Sequence, residues 1–221
     1  AALNAKAQAA AMMMSVNRDL NHTPPADWKC YTTAGSEAAG SSNLAMGYHG
    51  TDAISHGYMR DGGDNNYFVG HRRWILYPQT QRMGTGDIPW HDEYPTTNAL
   101  WVFDLDHISD PRPNTRDGYV AWPPPGYVPF QVVYPRWSFS WPAADFRQAT
   151  VMMARASQVV DVTILPGEYG FGESTLVWEP QASFTDRPAA DTRYRVVVDN
   201  VIIEGQARSF SYEVIVFDPA Q

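Results

Sequence analysis

The chain has 221 residues, of which 44% are hydrophobic and 18% charged, a composition typical of a globular protein and not of a disordered one. Its formal net charge of -8 argues against nucleic acid as a partner, because phosphates require a basic surface. No segment approaches the about 18 consecutive apolar residues of a membrane-spanning helix, and the length allows one large or two modest domains.

A helix is the first element predicted. Leu3, Ala7, Ala10, Ala11 and Met14 follow the three-and-four spacing of one helical face. We expect the helix to end before His22, because the Thr-Pro-Pro sequence at 23–25 cannot continue it. The segment lacks the basic start of a secretory leader, so either a leader has been removed or the chain begins inside a larger protein.

Short elements follow up to about residue 100. The Gly-, Ser- and Thr-rich stretch 29–42 predicts a loop, and Thr51 is a suitable N-cap for a helix over 52–61. Apolar and aromatic residues over 67–75 predict a second short helix, which Pro78 ends. Strands are predicted at 83–86 and 99–103.

The second half predicts a β-sandwich. A Pro- and aromatic-rich segment, 110–142, is expected to connect the halves and lead into the first strands. Turn residues then separate short runs rich in Val, Ile, Tyr and Phe, and about seven strands in roughly 100 residues is the immunoglobulin-like pattern. We expect the tryptophans here to pack in the core in preference to a sugar-stacking surface. The runs are 150–154, 159–165, 174–178, 194–198 and 210–217.

The most informative motifs lie between residues 21 and 86. His22 follows the first helix, and Ser-Asn-Leu-Ala occupies 42–45. Gly-His-Arg-Arg-Trp-Ile-Leu-Tyr-Pro follows at 70–78, and Met-Gly-Thr-Gly at 83–86. In order and spacing this set resembles the CAP superfamily in its bacterial form: the cysteine-rich secretory proteins, antigen 5 and PR-1. Arg72 and Arg73, within these motifs, are expected to form a solvated face or to pair with carboxylates.

The resemblance implies an α-β-α sandwich with a central cleft, in which two histidines and two acidic residues can hold a divalent cation, often zinc. His22 and His71 match the histidines. Ser42 replaces the Glu of the Gly-Glu-Asn-Leu-Ala motif, Asp61 matches the second acidic position, and Glu37 is a substitute for the missing carboxylate. Residues 1–20 match the family's second helix, so its first helix is missing, and a segment outside this chain is expected to complete the core.

Three uses of these residues stay open. His22, His71 and Asp61 can bind zinc or another divalent cation, although zinc prefers three or four ligands. Alternatively, Ser42 or a water can act as a nucleophile activated by a histidine, with an acid such as Glu37 orienting the ring. In the third, the histidines only bond to backbone or to each other across the cleft. The single cysteine, Cys30, is expected to be buried or to pair with a cysteine outside this chain.

The sequence therefore predicts an α+β protein: a CAP-like domain over 1–105, a linker over 106–117, and an all-β immunoglobulin-like sandwich over 118–221. The expected function is that of a secreted or cell-surface bacterial binding, structural or adhesion module. Its partner would be a protein, a cell surface, another copy or a missing amino-terminal segment. The alternative is a metal- or His-dependent hydrolase acting on peptide or cell-wall material. No cofactor beyond a divalent cation is predicted.

Overall fold

The structure is a computed structural model that describes residues 1–184 and 186–220. It confirms the α+β class: helices and a small sheet come first in the chain, and a β-rich region follows. No helix among the described residues combines the length and apolar character needed to cross a membrane.

The first helix, α1 (Ala2–Asn17), confirms the prediction from apolar spacing, and Ala7, Ala10, Ala11 and Met14 of the predicted face are buried. It ends at Arg18, which adopts a left-handed conformation with φ 57° and ψ 35°. The predicted loop over 29–42 is wrong in its second part, which forms α2 (Thr33–Ser41). Thr32 caps α2, because its side chain accepts a hydrogen bond of 3.0 Å from the amide of Gly35. This cap, and burial of the alanine face of α2 against α1, outweigh the weak helix propensity of Gly and Ser.

The predicted helix over 52–61 is present, but it begins earlier and is not a regular α-helix. It starts as a short α3 (Gly50–Asp52) and continues as a π-helix over Ala53–Met59. The predicted N-cap, Thr51, is wrong: the carboxylate of Asp87 instead accepts a hydrogen bond of 2.6 Å from the Gly50 amide. A 3₁₀ turn over Asp64–Asn66 follows, and α4 (Gly70–Ile75) confirms the predicted second helix.

Three strands among the described residues form the amino-terminal sheet: β1 (Ser42–Met46), β2 (Gly84–Ile88) and β3 (Thr97–Trp101). Their order is β1-β3-β2, with both pairs antiparallel. The predictions of β2 and β3 are confirmed. α1 packs directly on this sheet, and buried residues of α1, α2, β1 and β3 form one apolar cluster.

Nine strands among the described residues form two sheets in the β-rich region. One has the order β4-β6-β10-β9, and the other β5-β12-β11-β7-β8, with β5 parallel to β12. By its order, the first sheet corresponds to the A-B-E-D sheet of an immunoglobulin-like sandwich. In the second sheet β12-β11-β7 corresponds to G-F-C, with β5 and β8 added at its two edges. The strands are β4 (Val120–Trp122), β5 (Gly126–Pro129), β6 (Trp137–Ser140), β7 (Thr150–Arg155), β8 (Gln158–Val160), β9 (Val162–Ile164), β10 (Thr175–Pro180), β11 (Thr192–Ile203) and β12 (Gln206–Phe217).

The five predicted strand regions after residue 150 are present, with one difference. The run 159–165 is divided at Asp161 into β8 and β9, which belong to different sheets. The segment 110–142 also contains three strands and a 3₁₀ turn over Phe130–Val132, because its Pro residues fall mainly between these elements. One core joins the two sheets, and Trp137 and Trp178 lie fully buried in it, as predicted for packing residues.

The chain forms two compact units that do not follow a single cut in the sequence. The first contains Ala1–Gly62 and Trp74–Pro113, and the second contains Gly63–Arg73 and the chain from Asn114 onward. We call them the amino-terminal unit and the β-rich unit. The predicted limits, a domain over 1–105, a linker over 106–117 and a sandwich over 118–221, stay a prediction.

Candidate functional site

The residues predicted for the site are divided between the two units. His22, Glu37, Ser42 and Asp61 belong to the amino-terminal unit, whereas His71 belongs to the β-rich unit.

His22 is exposed and lies beyond the end of α1. Its Nδ1 is 2.8 Å from the backbone oxygen of Ala39, near the end of α2. A carbonyl oxygen only accepts hydrogen bonds, so Nδ1 carries the proton and Nε2 of the neutral ring carries the lone pair. A ring nitrogen with a free lone pair, here Nε2 of His22, can accept a proton or bind a metal ion.

Glu37, the proposed replacement carboxylate, points to solvent from α2. Its side chain is 50% exposed and accepts hydrogen bonds of 2.6 Å and 2.8 Å from Nζ of Lys6. Lys6 Nζ also lies 5.5 Å from the ring centroid of Trp101. Glu37 therefore forms an ion pair with Lys6 that links α2 to α1 at the surface.

Ser42 begins β1 at the position where the CAP motif has Glu. The residue is buried, with 5% of its surface exposed. Its Oγ has no hydrogen-bond partner among the residues that the structure describes. A serine nucleophile requires a base within hydrogen-bond reach, so the described geometry does not assemble one around Ser42.

Asp61 is fully buried and has a left-handed backbone with φ 52°. Across residues 1–184 and 186–220, no three side chains of His, Cys, Asp or Glu converge as a metal-binding group. The divalent-cation site of His22, His71 and Asp61 therefore stays a prediction, and we assign no chemical step to a metal. Cys30, expected to be buried or paired, is exposed.

His71 is half-buried in the first turn of α4. The two arginines that follow it are buried, which corrects the expectation of a solvated pair. Arg72 donates a hydrogen bond of 2.8 Å to the backbone oxygen of Arg136, and Arg73 donates 3.0 Å bonds to the backbone oxygens of Glu168 and Glu173. Burial lowers the pKa of Arg73 to about 10, although the nearby Glu168 carboxylate raises it. Both guanidinium groups therefore donate to backbone oxygens of the β-rich unit.

Sequence reasoning missed a buried polar network behind β3. The hydroxyl of Tyr58, in the π-helix, lies 2.6 Å from Asn98 Oδ1 and 3.1 Å from the backbone oxygen of Asn43. Asn98 Nδ2 donates to Thr85 Oγ1 at 2.9 Å and to Asp87 Oδ1 at 2.8 Å. Burial, and secondarily the charge of Asp87, raises the pKa of Tyr58 well above its ordinary value. The signal in the sequence was an Asn inside an apolar strand, where a polar side chain requires buried partners.

The β-rich unit also contains a cavity that the sequence did not indicate. Its volume is about 200 Å³, and the segment between β9 and β10 forms one wall. Its lining combines apolar side chains with a cation and a carboxylate. The lining includes Phe146, Arg147, Leu165, Glu168, Tyr169 and Leu176.

Comparisons with known proteins bear on the amino-terminal part of the chain. Residues 1–101 match the model of the CAP family, described as the Cysteine-rich secretory protein family. The comparison with curated proteins finds no match. Among solved structures, PcoC, a methionine-rich copper resistance protein from Escherichia coli, is similar at 15% identity over 43% of this chain and 92% of its own, with a TM-score of 0.32. That TM-score is too low to carry an argument. Residues 1–101 of this chain are a CAP domain, and a β-rich region follows it.

Proposed function

We propose that this CAP-family protein is a secreted or cell-surface bacterial binding or adhesion module that acts within a larger assembly. The observation that carries this proposal is Ser42. At the motif position where a carboxylate would orient a histidine or hold a metal ion, the chain has a buried hydroxyl. The ion pair between Lys6 and Glu37 also supports a binding role, because the carboxylate proposed as a replacement is paired with Lys6.

A binding assay with a turnover readout tests this proposal. Purified bacterial cell walls are incubated with the full chain, and both the protein that sediments with them and the soluble fragments released are measured. We expect sedimentation without fragments, and the same result from a His22→Ala variant. Release of fragments by the original chain, lost in that variant, would overturn the proposal in favour of hydrolysis.

The hydrolase is a second candidate because one observation favours it. The bond from His22 Nδ1 to Ala39 leaves Nε2 as the basic atom on an exposed ring. In this alternative His22 or His71 activates a water, and peptide or cell-wall material is the substrate. Cleavage of a fluorescent peptide mixture that is lost in both His22→Ala and His71→Ala would support it.

Zinc titration tests the predicted metal site separately. Loss of affinity in His22→Ala and in His71→Ala, with normal affinity in His91→Ala, is the result expected of a site built on these two rings. The side chain of His91 is 78% exposed, which makes it a suitable control for adventitious imidazole binding. Equal zinc affinity in all four proteins ends the metal hypothesis.

A further inference from the structure

A segment of the CAP-matched sequence belongs structurally to the β-rich unit. Residues 63–73 lie within the match over 1–101, yet they group with the chain from Asn114 onward. Residues 165–174, which connect β9 to β10 and which we call the β9–β10 loop, contact this segment through ring packing and hydrogen bonds. His71 lies near the end of this segment, so the loop is placed to act on it.

The loop holds the residues just before His71. The ring of Phe68 packs on that of Phe171, with 4.6 Å between centroids, and the Tyr67 hydroxyl donates to the Glu168 carboxylate. Gly70 is required by this packing, because an added Cβ would lie 2.6 Å from Phe68 Cε2 and 3.0 Å from Phe171 Cδ1. Residues 67–70, which lead into His71, are therefore in close contact with the β9–β10 loop.

The two arginines that follow His71 are also held in place: Arg73 by the β9–β10 loop, and Arg72 by the segment before β6. The Arg73 guanidinium donates to two backbone oxygens of the loop and lies 5.7 Å from the Phe171 ring centroid. Arg72 lies over the ring of Tyr134 at 5.8 Å and donates to the backbone oxygen of Arg136. Such bidentate and stacked contacts are specific to a guanidinium group, and they fix the orientation of the turn that carries His71.

A strained residue precedes this turn. Val69 is fully buried and has φ 49°, a conformation that a β-branched side chain adopts only when its surroundings impose it. The Val69 amide donates to the Asn66 oxygen at 2.9 Å, and the Val69 oxygen accepts from the Arg73 amide at 3.0 Å. Backbone strain at Val69, two residues before His71, shows that packing, and not local propensity, determines how α4 begins.

We infer that the β9–β10 loop positions His71, with Phe171 and Arg73 as its principal positioning residues. The β-rich unit thus determines the position of His71, one of the two histidines that match the CAP motif. The functional meaning of this role rests on the proposal that His71 is a site residue, but the positioning itself can be measured without any ligand.

The experiment compares the full chain with Phe171→Ala and, as a matched control, Tyr169→Ala. Tyr169 is an aromatic residue of the same loop that is 77% exposed. Two NMR readouts are followed at one fixed pH: the imidazole chemical shifts of His71 and His22, and hydrogen exchange of the Arg73 amide. In Phe171→Ala we expect the imidazole chemical shifts of His71 to change, those of His22 to stay, and exchange of the Arg73 amide to accelerate about tenfold or more. Tyr169→Ala is expected to change neither readout.

Unchanged His71 signals and unchanged Arg73 exchange in Phe171→Ala would overturn the inference, even if the melting temperature falls. If that variant fails to fold, Tyr67→Phe replaces it, because this change removes only the hydroxyl that bonds to Glu168. A moved His71 signal in Tyr67→Phe supports positioning, and an unmoved one contradicts it. A protein that binds no cell wall but shows the expected NMR changes would refute the proposed function and leave this inference intact.

Discussion

At the scale of single residues, two glycines determine how α1 meets the sheet. A Cβ on Gly86 would lie 2.1 Å from the backbone nitrogen of Gln8 and 2.3 Å from the carbonyl carbon of Ala7. A Cβ on Gly84 would lie 2.5 Å from Cβ of Leu3. Backbone atoms of a helix cannot move aside singly, so the Gly-Thr-Gly motif is a requirement of helix–sheet packing.

Gly86→Ala is accordingly expected to destabilise the protein by about 2 kcal/mol or more, because the helix must move away from the sheet. Urea unfolding measures the change. Gly167→Ala is the control: its added Cβ meets no atom within 4 Å, and we expect an effect within about 0.5 kcal/mol. Equal stability of the two variants would contradict the packing explanation.

Ser42→Ala is expected to be neutral or to stabilise the protein by up to about 1 kcal/mol. The buried hydroxyl has lost its hydration and has no described partner, so removing it eliminates an existing cost. Ser15→Ala is the matched control, because Ser15 Oγ is also buried but donates to the Pro95 oxygen at 2.8 Å. That variant is expected to lose about 1–3 kcal/mol in urea unfolding. A large loss in Ser42→Ala would mean that the hydroxyl has a partner after all.

At the scale of elements, Tyr58 attaches the π-helix to the sheet. Its hydroxyl contacts Asn98 of β3 and the backbone of Asn43 in β1. Tyr58→Phe keeps the ring but removes the hydroxyl that donates to these buried acceptors, so we expect the free energy of unfolding to fall by about 1–3 kcal/mol. Tyr48→Phe, at a tyrosine that is 41% exposed, is the control in the same thermal unfolding series. A melting temperature unchanged in both variants would show that the network is not stabilising.

Asp104, in the connection after β3, links this connection to the segment before β2 by hydrogen bonds. Asp104 Oδ2 accepts hydrogen bonds of 3.1 Å and 3.0 Å from the amides of Gln81 and Arg82, and Oδ1 accepts one of 3.1 Å from Arg82 Nη2. Burial raises the pKa of this carboxyl, but the hydrogen bonds and the charge of Arg82 together lower it below its ordinary value. The ionised form is therefore favoured in the folded state.

The sign of the pH effect follows from this lowered pKa. The contribution of Asp104 is complete above its unfolded pKa of about 3.9 and is lost as the pH falls through the lower folded value. We expect Asp104→Asn to be less stable at pH 7 and to lose less further stability than the original chain between about pH 5 and pH 2. Denaturant unfolding at a series of pH values measures this. Parallel stability curves for the two proteins would contradict the assignment.

At the scale of the whole molecule, the chain passes between the two units three times, after Gly62, Arg73 and Pro113. A single linker would leave each unit free to unfold alone. Here, unfolding of the β-rich unit releases residues 63–73, which lie in sequence between two parts of the amino-terminal unit. We therefore expect calorimetry to show one cooperative transition, with equal calorimetric and van't Hoff enthalpies. Two separated transitions would show that the units unfold independently.

What the sequence by itself determined is local. The apolar spacing in α1, the alternation in β11 and β12, and the motifs at 42–45 and 70–78 were sufficient for the helix, the sandwich strands and the CAP resemblance. Periodicity reports which face of an element is buried, because burial of that face is what selects the apolar residues.

Only the tertiary structure decided what those faces are buried against. Arg72 and Arg73 resemble a solvated pair in sequence, but their acceptors lie about 65 to 100 residues further along the chain. Glu37 and Ser42 fit a catalytic site by type, yet an ion pair from Lys6 and the interior of β1 determine their surroundings. These outcomes depend on contacts between distant segments. No local pattern encodes such contacts, since the energy of a buried polar group depends on the partner that the fold brings to it.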